Sequence, residues 1–385
     1  MSFNSLGLSP ALLKTLVDNN FTVPTPVQEI AIPAILNKKD VLVIAKTGSG
    51  KTAGYVLPIL MNQQGSAGLK NRHVRVLVLV PTRELAEQVK DVFRIFSMAL
   101  PERVKTLVVY GGVSINPQMM ALQGVDVLVA TPGRLLELVG SNSVHLSNIE
   151  TLVLDEADKI LNLGFRDELN KILALLPNRR QNILLSATLS DDLEHIHQIL
   201  LHEPVVIKIT GEEASLDLIR QVAYIVSAEG KGPFLRYLIN HHKMRQVLVF
   251  ASSVHQVDAV VNKLLKNNID AKAIHSKKSQ GSRTEALAEF KSERLRVLVA
   301  TDLMARGIDI NALPYVINYE LPRSPKDYIH RIGRTGRAWI AGDAISLVSV
   351  SELAHFEVIQ KKMGRKVSLM DHKEIQNLQA GLTQP

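Results

Sequence analysis

The chain contains no cysteine among its 385 residues, and only 4% of them are aromatic. The first absence excludes disulfides and thiolate metal ligands, and it fits a reducing compartment, so we expect a cytoplasmic protein. Few aromatic rings argue against a platform on which single-stranded nucleic acid could stack. No apolar run is long enough to cross a membrane, and the start Met1–Asn4 lacks the basic and apolar segments of a secretory signal. Neither a membrane span nor a signal peptide is therefore predicted.

Positive charge is concentrated in the second half of the chain. Residues 217–370 contain 24 Lys and Arg against 14 Asp and Glu, whereas residues 1–216 contain 20 against 21. The formal net charge is +8 at pH 7. A basic half favours an anionic partner such as nucleic acid, although on charge alone a solvated basic surface remains the alternative.

A chain of this length predicts two domains. Short apolar runs rich in Val, Ile and Leu alternate with amphipathic stretches such as Glu84–Phe96, and nearly every run ends in a small polar cluster. This alternation predicts an α/β fold with two mostly parallel sheets, each with helices on both faces. The predicted strands are Val41–Ile44, Val76–Val80, Thr106–Val109, Val127–Val129, Leu152–Leu154, Ile183–Leu185, Val222–Val226, Val247–Phe250, Ala271–Ile274, Val297–Ala300, Tyr315–Ile317 and Ala344–Leu347.

The predicted domain boundaries lie where the alternation of apolar runs and amphipathic stretches is interrupted. The polar stretch Thr210–Ser215 contains a Gly and has no apolar periodicity, which is typical of a linker. We therefore expect an N-terminal domain at 1–209, a linker at 210–216, a second domain at 217–370 and a short tail at 371–385. Segment Gln360–Pro385 is expected to end in a helix followed by a few residues without regular structure.

A glycine-rich loop closes in Lys-Thr between the first predicted strand and a helical stretch. The loop amides and the helix N-terminus would hold phosphate oxygens. Lys51 would reach the β- and γ-phosphates, and the Thr52 hydroxyl would bind Mg²⁺. The predicted nucleotide-binding residues of this loop are Thr47, Gly48, Ser49, Gly50, Lys51 and Thr52.

Two adjacent carboxylates, Asp155 and Glu156, follow the apolar run Leu152–Leu154. Asp155 would hold Mg²⁺, and Glu156 would orient and polarise the attacking water, a general-base role worth about 10²–10⁴-fold in rate. Adjacent acids after a strand can also be a helix N-cap favoured by the dipole. Because they accompany the phosphate loop, we favour hydrolysis of a nucleoside triphosphate.

The second half contains a cluster of cations, His330, Arg331, Arg334 and Arg337, interspersed with two glycines. Arg334 and Arg337 lie three positions apart, so on a helical turn they share a face. Directed at a γ-phosphate, they would act as arginine fingers. The alternative is a solvated basic face of a helix, but the two interspersed glycines fit a regular helix poorly.

In order and spacing these motifs resemble the DEAD-box ATP-dependent RNA helicases of superfamily 2, over a stretch from Phe3 to about Val350. Asp155-Glu156-Ala157-Asp158 is the tetrapeptide that names the family. The resemblance implies two RecA-like domains and ATP with Mg²⁺ as cofactors. It also implies that Phe21 to Gln28 reads adenine, with the Gln28 amide on the base edge and Phe3 stacked on the ring, since an amide both donates and accepts.

The resemblance further implies contacts with the sugar-phosphate backbone of RNA, which hydroxyls, amides and guanidinium groups suit. The implied RNA-binding residues are Pro81, Thr82, Arg83, Gly111, Gly112, Thr131, Pro132, Gly133, Arg134, Ser252, Ser253, Gln280, Arg283, Thr301 and Asp302. The residues implied to couple ATP to RNA are Asp158, Ser186, Thr188, His330 and Arg331. Asp309 is expected near the ribose.

The sequence departs from the family pattern at several positions without removing a catalytic group. The departures are Asn20 and Ser276 where Gly is common, Lys46 where Gln or Glu is common, Met304 where Ala is common, and Trp339 where a small turn is usual.

The expected mechanism is closure of two loosely coupled domains around ATP, Mg²⁺ and single-stranded RNA. The resemblance further implies that the closed form bends one strand and locally melts a short duplex. We expect a monomer that recognises RNA without sequence specificity and takes its targets from protein partners, with no membrane association. Two alternatives stay open. One is a DNA helicase or translocase of the same superfamily, and the other is an RNA clamp that grips without unwinding.

Overall fold

A computed structural model describes residues 2–45, 48–65, 71–98, 100–188, 191–209, 219–302, 313–336 and 342–371. The chain divides into two compact units, Met1–Gly211 and Glu212–Pro385. The predicted linker 210–216 lies outside the described residues, as does the predicted tail after Asp371. Within the described ranges, no helix is both long and apolar enough to cross a membrane.

The first unit contains a seven-stranded sheet whose described pairings are all parallel. Its strands are β1 (Val41–Ile44), β2 (Val76–Leu79), β3 (Thr106–Val109), β4 (Val127–Ala130), β5 (Thr151–Leu154), β6 (Gln181–Ser186) and β7 (Val205–Lys208), in the spatial order β3-β4-β2-β5-β6-β1-β7. Its helices are α1 (Pro10–Asp18), α2 (Pro26–Leu36), α3 (Lys51–Gln63), α4 (Arg83–Ser97), α5 (Asn116–Ala121), α6 (Pro132–Gly140), α7 (Ala157–Asn162), α8 (Arg166–Ala174) and α9 (Asp191–Leu200), with a 3₁₀ turn at Phe3–Ser5.

The two faces of this sheet are buried in two separate apolar clusters. In β1, Val41 and Val43 belong to one cluster, whereas Leu42 belongs to the other. The separation follows from the strand geometry, because successive side chains point to opposite faces. A strand buried on both faces needs a continuous apolar run, which is why these strands could be predicted from composition.

The second unit repeats this topology around another seven-stranded parallel sheet. Its strands are β8 (Ile219–Ile225), β9 (Val247–Phe250), β10 (Ala271–Ile274), β11 (Val297–Ala300), β12 (Tyr315–Asn318), β13 (Gly342–Val348) and β14 (Ser368–Asp371), in the order β10-β11-β9-β12-β13-β8-β14. Its described helices are α10 (Lys231–His241), α11 (Val254–Leu265), α12 (Gln280–Lys291), α13 (Pro325–Ile332) and α14 (Leu353–Met363), with a 3₁₀ turn at Val350–Glu352. Counted from the first strand of each unit, the two orders are identical.

The predicted fold class is confirmed: each unit is a parallel sheet with helices on both sides. Sequence reasoning missed β7 and β14, the strands beside the first strand of each sheet. In β7 only Ile207 is buried, and all four residues of β14 are exposed, so neither has the buried apolar run that most of the other strands have. Strand β14 also lies inside Gln360–Pro385, where the prediction had only a terminal helix.

Candidate nucleotide and nucleic-acid sites

Strand order brings the three predicted nucleotide motifs together. Strands β5, β6 and β1 are neighbours in the first sheet. The acidic pair follows β5, Ser186 ends β6, and the phosphate loop follows β1. Since the carboxyl ends of parallel strands meet at one edge, these motifs share a single site although they are far apart in sequence.

The backbone of the phosphate loop is held by glycines in left-handed conformation and by the preceding helix. Gly50 has φ +81° and is the N-cap of α3. A Cβ at this position would lie 2.7 Å from Nε2 of Gln28, so a side chain does not fit. Gly48 also has φ +86°. The Ser49 hydroxyl is buried with no hydrogen-bond partner in the described part of the chain, as a phosphate-binding group would be before nucleotide arrives. Thr47 lies outside the described residues.

Lys51 is the first residue of α3, and its side chain is buried. Its ammonium donates a hydrogen bond to the carbonyl oxygen of Ala45 at the start of the loop. Burial lowers the Lys51 pKa, while the charges of Asp155 and Glu156 oppose that shift. The Lys51 ammonium is therefore near the acidic pair. To contact a phosphate, it would have to break its hydrogen bond with the Ala45 carbonyl.

Asp155 is 2% exposed and has a buried hydroxyl as its partner. The Tyr55 hydroxyl donates to its Oδ2 at 2.9 Å. Burial, together with repulsion from Glu156, raises the pKa of Asp155 to about 6, against the pull of Lys51 and the Tyr55 hydrogen bond. Burial and the neighbouring Asp155 charge likewise raise the pKa of Tyr55 well above its ordinary value.

Glu156 adopts a backbone conformation that is unusual for a residue with a side chain. Its φ is +51° and its ψ is 48°, and it is the N-cap residue of α7 without capping through its side chain. Its carboxylate lies 2.7 Å from the ammonium of Lys159. Left-handed conformation at such a residue costs of order 1–3 kcal/mol and is concentrated at functional sites. Glu156 therefore occupies the N-cap position of α7, as the helix-cap alternative expects, but its side chain does not cap the helix.

The fourth residue of the tetrapeptide contacts the segment that follows β6. Oδ2 of Asp158 accepts a hydrogen bond from Oγ1 of Thr188 at 3.0 Å. The Ser186 hydroxyl in turn donates to the carbonyl oxygen of Thr188 at 2.7 Å. The structure therefore joins three of the predicted coupling residues in one network.

Gln28 links the adenine-reading segment to the phosphate loop. Its Oε1 accepts from the amide of Thr25 at 2.9 Å, and its Nε2 donates to the carbonyl of Gly50 at 3.1 Å. The hydroxyl of Thr25 also donates to the carbonyl oxygen of Ser49. A side-chain amide keeps one further donor and one further acceptor position, so its adenine contact stays a prediction.

The two aromatic rings predicted for the adenine site differ in exposure. Phe3 is buried in the apolar cluster of the first unit, whereas Phe21 is 37% exposed and lies edge-on to Phe96. Of the two, Phe21 presents the accessible ring. Asn20, which precedes it, has φ +63°. That conformation explains why Gly is common there in the family, and Asn is among the side chains that tolerate it best.

The acidic pair suits a divalent cation that takes most of its ligands from elsewhere. Two adjacent buried carboxylates repel each other, and a cation relieves that repulsion. Within the described residues, no three His, Cys, Asp or Glu side chains are grouped to hold a metal. Mg²⁺ is usually bound by one or two carboxylates together with waters and substrate phosphates, so Asp155 and Thr52 fit it.

The predicted RNA residues of the first unit lie on the other half of the sheet, where β3, β4 and β2 are neighbours. Arg83 begins α4, next to Pro81 and Thr82, and its guanidinium lies over the Tyr110 ring at 5.8 Å. A Cβ on Gly112 would meet that guanidinium at 1.7 Å, so this exposed glycine permits the close approach. The hydroxyl of Thr82 caps α4.

The predicted RNA residues after β4 are mostly buried. Thr131 and Pro132 start α6, with Gly133 beside them. Arg134 is 5% exposed; it donates to Glu137 and to the carbonyl of Val113, both at 2.8 Å. The Arg134 side chain therefore supports the loop that contains Gly111 and Gly112 instead of extending into solvent.

In the second unit, the corresponding strands β10, β11 and β9 are again neighbours. Ser252 and Ser253 are exposed after β9, and the backbone amide of Ser252 donates to Glu320 at 2.7 Å. Gln280 begins α12 and accepts a hydrogen bond from Arg283. Thr301 and Asp302 follow β11, where both are half-buried.

Arg331 of α13 is buried beneath these residues. It pairs with both carboxylate oxygens of Asp302, donates to Oδ1 of Asn318 at 3.0 Å and to the carbonyl of Glu320 at 2.6 Å, and lies over the Phe250 ring. His330 is half-buried on the same helix, and Arg334 is buried just after it. Arg337 and Asp309 lie outside the described residues, as do the departures Lys46, Met304 and Trp339.

Two polar residues of these sites were missed from the sequence. Glu320 holds the loop after β9 but is far from it in the chain, so nothing in the sequence indicated the contact. Tyr55 had a partial signal in the sequence. It lies four positions after Lys51 and three after Thr52 on α3, so helical spacing places its hydroxyl-bearing side chain on the same face as these two residues.

Two parallel sheets of identical strand order, the first with a phosphate loop beside an acidic pair, define a two-domain nucleotide-hydrolase architecture. The family model for DEAD/DEAH box helicases matches residues 25–196, and that for the helicase conserved C-terminal domain matches residues 230–339.

Known proteins agree with these matches. The chain is 37% identical to the DEAD-box ATP-dependent RNA helicase RhpA of Helicobacter pylori over 96% of this chain and 74% of that protein. It is 36% identical to CshA of Geobacillus kaustophilus over 96% and 78%. The structure of S. cerevisiae Dbp5 bound to RNA and ADP BeF3 has 26% identity and a TM-score of 0.83, covering 98% of this chain and 97% of that one. The chain therefore belongs to the DEAD-box ATP-dependent RNA helicase family, as the sequence predicted.

Proposed function

We propose that the protein hydrolyses ATP in a reaction stimulated by single-stranded RNA, and that it uses this reaction to melt short RNA duplexes or to remodel RNA–protein complexes. One observation is central to the proposal. Lys51, Asp155 and Glu156 form one buried, electrostatically coupled cluster beside a phosphate loop. A lysine that binds phosphates and carboxylates that hold Mg²⁺ and the attacking water are the groups that transfer of a phosphoryl group to water requires.

The proposed roles follow from these positions. Lys51, Ser49 and the loop amides bind the phosphates, while Gln28, Phe3 and Phe21 contact adenine. Glu156 holds and polarises the attacking water, and its fixed backbone conformation limits where that carboxylate can be. Arg334 and Arg337 of the second unit would stabilise the transferred phosphate, and Asp309 would contact the ribose. Bound by Asp155 and Thr52, Mg²⁺ would supply positive charge that neutralises the phosphate oxygens.

RNA is the proposed nucleic acid because the polar clusters after β3, β4 and β2, and after β10, β11 and β9, offer hydroxyls, amides and arginines. These groups suit phosphates and 2′-hydroxyls and have no evident means of reading bases. The basic second half adds a sequence-independent attraction. We further propose a cytoplasmic monomer that receives its targets from protein partners.

The test is ATP hydrolysis by the purified chain with no nucleic acid, with single-stranded RNA and with DNA of the same sequence. Stimulation by RNA alone is expected. Equal stimulation by DNA would favour a DNA translocase. Strand displacement is then compared with ATP and with a non-hydrolysable analogue: RNA binding without displacement in either case would favour an RNA clamp.

A further inference from the structure

We propose that Tyr55 is a positioning residue for the Mg²⁺ site, because its buried hydroxyl orients Asp155, one of the two residues assigned to the metal. The inference rests on the proposed ATPase function. It concerns a side chain that neither binds phosphate nor contacts the attacking water in that proposal.

The first step is the contact itself. The Tyr55 hydroxyl donates to Oδ2 of Asp155 at 2.9 Å. Both side chains are almost fully inaccessible, Tyr55 at 0% and Asp155 at 2% exposure, so water does not replace this hydrogen bond. A carboxylate has two oxygens and several lone pairs. The phenol therefore occupies one direction on Oδ2, fixes the rotation of the carboxylate, and leaves the remaining lone pairs for the cation or its waters.

The second step is the position of Tyr55 relative to Thr52, the other residue assigned to the metal. Thr52 and Tyr55 lie three positions apart on α3, so they share one face of the helix. The phenol has a single hydrogen, which it gives to Asp155, so on that face it is committed to the carboxylate ligand.

The consequence is that Tyr55 preorganises the Asp155 carboxylate before nucleotide binds. Preorganisation of this kind is a common way for residues behind metal ligands to raise metal affinity, and loss of such a partner typically costs about 10–100-fold. Because Tyr55 donates its hydrogen bond to only one of the two assigned ligands and not to the cation itself, we expect an effect at the lower end of that range or below it.

The test is the affinity of a fluorescent ADP analogue for the full chain, measured in EDTA and across a Mg²⁺ titration. For Tyr55→Phe we expect affinity in EDTA within about twofold of the parent. The Mg²⁺ concentration for half-maximal enhancement should rise about three- to tenfold, toward the loss seen for such partners. The control is Tyr328→Phe, which removes an equally buried hydroxyl that contacts Ser346 at 3.1 Å in the second unit, and it should leave both quantities unchanged.

Three results would overturn the proposal. An unchanged Mg²⁺ midpoint would mean that the hydroxyl does not orient the Asp155 carboxylate, and a lower midpoint would mean that it competes with the cation. An equal loss of affinity with and without Mg²⁺ would indicate damage to the phosphate loop. Because the readout is binding, it is separable from the proposed function: a parent chain that binds ADP with Mg²⁺ but fails to hydrolyse ATP would refute the function and leave this inference open to the same titration.

Discussion

Arg331 and Asp302 form a bidentate ion pair in which the arginine is 2% exposed, joining helix α13 to the segment that follows β11. This guanidinium also holds Asn318 and the carbonyl of Glu320, so its donors are used within the second unit. We therefore propose that Arg331 affects RNA or phosphate binding only through other residues. Because Glu320 holds Ser252, the pair supports two of the predicted RNA-binding segments at once.

The first prediction concerns this pair. Replacing Arg331 with Met should destabilise the second unit by about 3–5 kcal/mol, since Asp302 would be left half-buried without its partner. Urea unfolding of the isolated variant chain measures the change. Arg331→Met combined with Asp302→Asn should recover part of the loss, because the second substitution removes the uncompensated charge. A double variant as unstable as the sum of its single variants would mean that the pair is not coupled.

The second prediction concerns Glu156. Glu156→Gln should still bind ATP and RNA, while turnover in the presence of RNA falls by about 10²–10⁴-fold, the usual contribution of a general base. The matched control is Glu293→Gln, an exposed glutamate that also has a left-handed backbone, with φ +60°. Hydrolysis by Glu156→Gln at the parent rate would show that this carboxylate does not activate water.

The third prediction concerns the contact between Thr188 and Asp158. Thr188→Val keeps the shape of the side chain but removes a hydrogen bond to a buried carboxylate, a contact worth about 1.5–3 kcal/mol. We expect strand displacement per ATP hydrolysed to fall about tenfold or more, with RNA-stimulated hydrolysis changed by less than about threefold.

The control for that experiment is Thr106→Val. The hydroxyl of Thr106 is buried without a hydrogen-bond partner in the described part of the chain, so its removal costs nothing and should change neither activity. Equal losses of hydrolysis and displacement in Thr188→Val would mean that the network supports catalysis in general and does not couple it to RNA.

Much of the fold was predictable because buried parallel strands impose a composition. Strands such as β1 and β9 are uninterrupted apolar runs, and the polar residues that follow them mark the sheet edge where ligands bind. Strands β7 and β14 do not follow that pattern, because only Ile207 is buried in β7 and all four residues of β14 are exposed. The motifs also predicted which residues form the nucleotide site, since glycine, lysine and paired acids each have a specific chemical use there, and the strand order brings the segments that contain them to neighbouring strands.

The partners of those residues were not predictable. Tyr55 is 100 positions from Asp155, and Arg331 is 29 positions from Asp302, so their contacts depend on strand order. A sequence pattern identifies residue types and local periodicity, whereas these hydrogen bonds depend on which strands become neighbours. The same limit applies to Arg134: the family resemblance implied an RNA contact, which stays a prediction, whereas its hydrogen bond to the carbonyl of Val113 had no signal in the sequence.

The fourth prediction is a pH-dependent gain in stability from Asp155→Asn. The pKa of Asp155 rises from 3.8 in the unfolded chain to about 6 in the fold, so between these values the folded state binds a proton that the unfolded state does not. The free energy of unfolding therefore falls as the pH rises from about 4 to about 6, and above that it stays lower by at most about 3 kcal/mol. Asparagine has no charge to bury and can still accept the Tyr55 hydrogen bond. Asp155→Asn should thus be more stable than the parent at pH 7.5, and the difference should shrink toward pH 4.

Urea unfolding of both chains without nucleotide or Mg²⁺, at pH 7.5, 6 and 5, measures that difference directly. The exposed Asp167 supplies the control, because Asp167→Asn removes the same charge from a solvated position and should give a small difference at every pH. A destabilised Asp155→Asn at pH 7.5, or a gain independent of pH, would contradict the prediction. A pH-dependent gain would mean that the site keeps a buried carboxylate at a cost in stability, as expected of a residue retained to bind a cation and not to hold the fold together.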